Sequence, residues 1–251
     1  MKKTAIGYQE WQTTNLRVAH FRNGEPIMKA DDPTKWLDAA KNKIPAYCIP
    51  KYEGKEFKKA GFLYNWYAIN DPRGLAPQGW LIPDKKEIEY LFSRFQNTRI
   101  ACIELKSKSG WKTIDLGYTG KKIDGNGTNK SGFNAKPIPF VDRHGKYTFC
   151  KGVLSFWLKE TANHTIVSDN AFTLTFGDLW NQYECGDNVE INIGHMGTGL
   201  PVRCMKKNAD IEHNTSKAVY ELLKEMEESA IKDEILQIVK PLSFTLKDVE
   251  W

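Results

Sequence analysis

Between residues 96 and 205 the chain is written in short runs cut by glycine and asparagine. Ser109-Gly110-Trp111, Asp124-Gly125-Asn126-Gly127, Ser131-Gly132-Phe133, His144-Gly145 and the stretch from Gly194 to Gly199 mark turns, because these residues reach backbone conformations that others avoid. What lies between them fits brief strands at 153–157, 172–176, 189–193 and 200–204. Short strands with long connections argue against a simple sandwich and for a fold whose loops are packed by their own side chains. The side chains for this are present: 12% of the residues are aromatic, with 8 Trp. Rings cover much surface for little lost rotamer freedom, so they suit a rigid loop-rich frame, a contact surface, or both.

Elsewhere the local signals are clearer. Leu16-Arg17-Val18-Ala19-His20-Phe21 alternates apolar and polar positions and runs into Asn23-Gly24, which predicts a hairpin over 16–27. Asp32 before Pro33 predicts a helix start. Residues 62–69 are apolar and aromatic nearly throughout, as a strand or helix buried on most sides is; residues 70–80 are turn chemistry. Asp84 with Glu87 has capping-box spacing, ahead of a helix carrying Ile88, Leu91, Phe92 and Phe95 on one face. After Lys207 the composition changes: Asn214 can cap a helix with Val219, Leu222, Leu223, Met226 and Ala230 at helical spacing. The expected division is a domain at 1–207 and a helical extension at 208–251, which either packs on its own domain or docks on a partner chain.

Several classes are set aside. The formal charge of +5, from 36 Lys+Arg against 31 Asp+Glu, is mild, and the lysines are scattered. That is not the concentrated basic stripe of a nucleic-acid protein, so nucleic acid is not an expected partner. No stretch approaches the ~18 apolar residues that a membrane span needs. The basic start Met1-Lys2-Lys3 leads into no apolar core, so it does not read as a signal peptide. The 5 Cys, at wide spacing with no CxxC pair, read as free thiols of a reducing compartment. The expectation is a protein of the cytoplasm or a virion rather than of the outside of a cell.

The segment 62–83 contains Leu63-Tyr64-Asn65-Trp66-Tyr67-Ala68 and then Pro77-Gln78-Gly79-Trp80-Leu81-Ile82-Pro83. It closely resembles the Fibrobacter succinogenes major paralogous domain, which writes this region as an L-Y-N-W-Y-A run and a P-x-G-W-H-x-P block. Other landmarks follow in that family's order: Trp11 with Asn15-Leu16, the run from Phe21 to Ile27, Ser109-Gly110-Trp111, Ser131-Gly132-Phe133-Asn134-Ala135, Phe156-Trp157 through Glu160, and Gly199 with Val202-Arg203-Cys204. The resemblance covers about residues 5–206. It implies an α+β, C-type-lectin-like domain of two helices and small twisted antiparallel sheets with long loops, here with a C-terminal helical extension. Relatives of that fold include sugar-binding lectins, phage receptor-binding proteins and the formylglycine-generating enzyme. Leu81 stands where many members have His. Ala76 stands where one common form has a Cys that could pair with the closing Cys204.

A calcium-dependent sugar site needs about 6–8 clustered oxygen ligands. Neither an E-P-N nor a Q-P-D triplet occurs in the late loop, and the cluster Asp178, Asn181, Glu184, Asp187, Asn188, Glu190 and Asn192 does not have the spacing of a known calcium loop. Calcium stays possible, and no cofactor is expected. The same segment sets Trp180 and Tyr183 among polar residues, as a sugar-stacking or protein-contact surface does. Trp180, Asn181, Gln182, Tyr183, Asn188 and Asn192 are therefore the expected ligand-binding residues. For catalysis, Cys150 and Cys185 are the loop-region thiols, with no histidine in a recognisable partner motif; the 5 His show no zinc spacing. The expected function is a non-enzymatic binding module recognising a protein or glycan through the loops of about residues 164–198. The alternative is a structural or assembly component docking through the C-terminal helix, and a weaker one is an oxidase related to the formylglycine-generating enzyme.

Overall fold

In the computed structural model, which describes residues 2–116, 121–161, 169–177 and 188–208, the chain opens with the antiparallel pair β1 (Lys3–Ile6) and β2 (Gln9–Gln12). After β3 (Met28–Lys29) comes α1 (Pro33–Lys41), which starts where Asp32 accepts from the Lys35 N–H at 2.9 Å and turns Trp36 and Ala39 inward. β4 (Ala46–Cys48), β5 (Lys51–Tyr52), β6 (Lys55–Glu56) and β7 (Leu63–Tyr64) lead to α2 (Trp66–Ile69). Asn65 caps α2 and ties it sideways: its Oδ1 accepts from the N–H groups of Ala68 and Ala46, and its Nδ2 donates to the Ile44 carbonyl. α3 (Lys85–Ser93) begins at the Asp84 cap, and α4 (Thr98–Leu105) follows it. The remaining strands are β8 (Ile114–Leu116), β9 (Lys121–Ile123), β10 (Phe140–Val141), β11 (Tyr147–Thr148), β12 (Leu154–Thr161), β13 (Asn170–Phe176), β14 (Val189–His195) and β15 (Met205–Lys207).

Among the described residues the architecture is mixed α+β, with few helices and several small sheets: β1-β2-β15, β3-β4-β7, β12-β13-β14 and three two-stranded ribbons. Only β3 and β4 run parallel among these pairs. The sheet β12-β13-β14 separates two apolar clusters. Leu154, Phe156, Leu158, Leu174, Phe176 and Val189 join Trp11, Trp36 and Phe133 in one cluster, while Trp157 and Ala171 join Tyr64, Trp66 and Leu200 in the other. Five tryptophans (11, 36, 66, 111 and 157) are no more than 5% exposed. Their N–H groups find carbonyls: Trp157 donates to Tyr64, Trp66 to Leu158, Trp36 to Gly197 and Trp111 to Ala135. Tryptophan is thus the material of the frame.

Three sequence expectations need correction. The 16–27 stretch keeps its turn but not its ladder, which is reduced to one bridge, His20↔Pro26. Its first arm bonds elsewhere: the Leu16 N–H donates to the Val202 carbonyl, and the Tyr64 hydroxyl takes both the N–H and the carbonyl of Val18. Residues 200–204 are not a strand either. Their backbone groups bond Tyr64, Trp157, Leu16 and Gln12 in turn, so no single neighbour offers a ladder. Finally α4 was read as part of the strand-and-turn region. Its cap, Asn97 accepting from the Ile100 N–H at 2.9 Å, is ordinary, but the unbroken apolar run Ile100–Ile103 masks the face that Ala101, Cys102 and Leu105 bury.

Candidate functional site

β13 hands over to β14 at a fixed point. Phe176 and Val189 pair across the strands, both fully buried, and the Gly177 N–H donates to the Asn188 carbonyl at 2.9 Å. Gly177 has φ +82, and a Cβ there would sit on the Gly152 carbonyl oxygen, so only glycine fits. The Cys102 thiol also donates to the Asn188 carbonyl, at 3.2 Å, which fastens the junction to α4. The described chain therefore leaves the main core at Gly177 and re-enters it at Asn188.

Of the expected contact residues, Trp180, Asn181, Gln182 and Tyr183 lie outside the described residues, as do Asp178, Glu184, Cys185 and Asp187. The C-terminal helix expected after Lys207 lies beyond them too, from residue 209. Asn188 and Asn192 are described, and β14 brings them together around one carboxylate. Asn188 Nδ2 donates to Glu190 Oε2 at 3.4 Å and Asn192 Nδ2 to Oε1 at 3.3 Å. Asn192 also accepts from the Ile193 N–H at 2.8 Å. The 164–198 stretch accordingly contains two seven-residue strands, with the amide–carboxylate row on one of them. Among the described residues no group of three or more His, Cys, Asp or Glu is arranged to hold a metal.

The second feature is a cleft of about 180 Å³ on the Ser155–Thr173 side of the same sheet. Ser155, Thr173 and Gly194 belong to the sheet; Ile138, Phe140 and Leu200 come from the segments laid over it. Gly194 keeps the floor low, since a Cβ there would press to 3.2 Å on Thr173 Cγ2 and Trp157 Cη2. Beneath lies a row of hydroxyls: Ser155 Oγ to Thr175 Oγ1 at 2.9 Å, and Thr175 Oγ1 to Thr173 Oγ1 at 3.0 Å. Thr173 and Thr175 are 2% and 0% exposed. Alternation in 171–176 puts these threonines on one face of β13, where Thr173 meets Phe140 and Leu200 from distant sequence across the cleft.

The opposite end of the sheet carries titratable groups. His195 Nδ1 accepts from the Gly197 N–H at 3.0 Å, and Asp169 pairs with Lys43 at 3.5 Å. Burial, then the nearby Arg143 charge, holds His195 below the usual histidine range, with Asp169 opposing. Such a ring is neutral at pH 7 and able to accept. The thiols differ in kind: Cys48, Cys102, Cys150 and Cys204 are free, and burial pushes Cys48 and Cys204 up to about 12, which keeps them protonated.

The Fibrobacter succinogenes major domain model matches residues 4–206. The chain belongs to that family. Comparisons with curated proteins and with solved structures return no match. In this Fibrobacter succinogenes major domain the L-Y-N-W-Y-A run forms β7, the Asn65 cap and α2. The closing V-R-C places Val202 and Cys204 in the second cluster, where Ala76 also lies. No helix among the described residues is long and apolar enough to cross a membrane.

Proposed function

We propose that this member of the family is a non-enzymatic binding module of C-type-lectin-like fold, recognising a protein or a glycan through residues of about 164–198. The observation that supports this most is the junction flanking that stretch: Phe176 and Val189 form a buried pair, and Gly177 is fitted against Gly152. A contact segment on a rigid base loses less freedom on binding than one on a loose base. Trp180 and Tyr183 would anchor the ligand, and Asn181, Gln182, Asn188 and Asn192 would orient it through amide hydrogen bonds. The test is a glycan array run beside a pull-down, each with and without chelator. The double variant Trp180→Ala/Tyr183→Ala is expected to weaken the captured ligand by at least about a hundredfold. Undiminished affinity in that variant overturns the reading. A chelator-sensitive signal would bring calcium into it.

A second reading has its own support. The family match ends at 206 while the sequence runs on to residue 251 with Val219, Leu222, Leu223 and Met226 at helical spacing. In that reading the tail docks on a partner chain in an assembly and the domain decorates it.

A further inference from the structure

The hydroxyl row under the cleft has one proton too many for itself. Ser155, Thr175 and Thr173 carry one O–H each, and the row contains two hydrogen bonds, each using one proton. Among the described residues these hydroxyls have no other hydrogen bond. The remaining proton is therefore on Ser155, Thr173 or Thr175. Thr175 does not line the cleft and is fully buried, so a free proton there would be stranded at a cost of about 1–3 kcal/mol. Ser155 and Thr173 line the cleft. The donor that is left over accordingly belongs to the cleft.

The other walls set what can accept it. Ile138, Phe140, Val153, Leu200 and Pro201 are apolar, and among the described residues Thr198 is the only further polar side chain in the lining. A sugar ring would bring many more hydroxyls than this surface can satisfy. An engineered apolar cavity of ~150 Å³ takes a benzene ring, so about 180 Å³ accommodates one ring with a short substituent. We propose that this cleft is a binding site for a small, largely apolar molecule ending in a single hydrogen-bond-accepting oxygen, such as an aromatic ketone, received by the Ser155–Thr175–Thr173 hydroxyl row. The proposal does not rest on the roles proposed for Trp180 and Tyr183.

The probes are acetophenone and its hydrocarbon counterpart isopropylbenzene, measured on the full chain by ligand-observed NMR titration. Acetophenone is expected to bind about tenfold more tightly, the worth of one buried hydrogen bond. In Ser155→Ala/Thr173→Val/Thr175→Val the whole row is replaced by groups of similar shape, so no hydroxyl is orphaned. That variant should lose the preference, binding acetophenone no more tightly than the hydrocarbon, because the ketone oxygen then has no donor in the row. Absence of binding by either probe to the folded wild-type chain, equal affinity for the two probes, or a ketone preference surviving in the triple variant overturns the proposal.

Discussion

Arg203 ties together segments far apart in the sequence, around residues 12–15, 133 and 156. It is 3% exposed, and among the described residues its partners are all neutral. Nη2 and Nε donate to Asn15 Oδ1 at 2.6 and 3.2 Å, while Nη1 donates to the Gln12 carbonyl at 3.1 Å and to the Phe133 carbonyl. The guanidinium lies 4.7 Å from the Phe133 ring centroid and 5.2 Å from that of Phe156. Burial pushes its pKa down to about 9, still above neutral, so the cation persists. A planar fork suits three acceptors and two ring faces; an ammonium does not. Arg203→Met should therefore cost about 3–5 kcal/mol by orphaning those oxygens, and Arg203→Lys should recover less than half of it. Urea unfolding checks this, and a Met variant within about 1 kcal/mol of wild type would refute it. His195 gives the pH counterpart. Its folded pKa lies below the ordinary value, so the unfolded chain binds the proton first as pH falls. The associated stability is complete above pH ~6.5 and is lost as pH drops from there toward the folded value. His195→Gln should flatten the thermal midpoint between pH 7 and pH 5, a window above the one in which Glu10, Asp31 and Asp71, held low chiefly by Lys3, Lys29 and Arg73, begin to titrate.

At the scale of elements, the β12-β13-β14 sheet organises everything proposed for this protein, and its weakest tolerance is at Gly177. Alanine there meets both an unfavourable φ of +82 and the Gly152 carbonyl. Gly177→Ala should destabilise by about 1–3 kcal/mol and raise amide exchange at Asn188 and Val189, while Gly54→Ala, with φ +72 and open space around it, should cost about 1 kcal/mol. Equal exchange in the two variants would mean that Gly177 does not fix the junction. The strands of this sheet were legible in the sequence because 172–176 and 189–193 alternate between turn signals, and the caps at Asp32 and Asp84 were legible because capping is a contact between residues three apart. Non-local contacts were not. Residues 200–204 look like a strand but serve four neighbours, and Thr173 lines a cleft with Phe140 and Leu200, which are distant in sequence. The two amides Asn188 and Asn192 were expected as ligand contacts on composition alone; their hold on Glu190 is fixed by the i, i+2 spacing of one strand and was readable once β14 was assigned.

Considered whole, the molecule closes on itself near residue 208. β15 pairs with β2, the same strand that pairs with β1, so the first and last described strands share one sheet. The Gln12 N–H donates to the Cys204 carbonyl, the Leu16 N–H to Val202, and the Asn208 N–H to the Tyr8 carbonyl at 2.8 Å. Among the described residues both apolar clusters are built from positions between 6 and 205. A chain ending at residue 208 is therefore expected to unfold cooperatively, with the near-UV circular dichroism of the full protein and a thermal midpoint within about 3 °C of it. That truncation also divides the two functional readings. If recognition belongs to 164–198, the shortened chain keeps its ligand; if the tail docks on a partner, it keeps its fold but sediments as a smaller species. A truncated chain without near-UV signal would show instead that 209–251 completes the core, and the boundary near 207 would have to be abandoned.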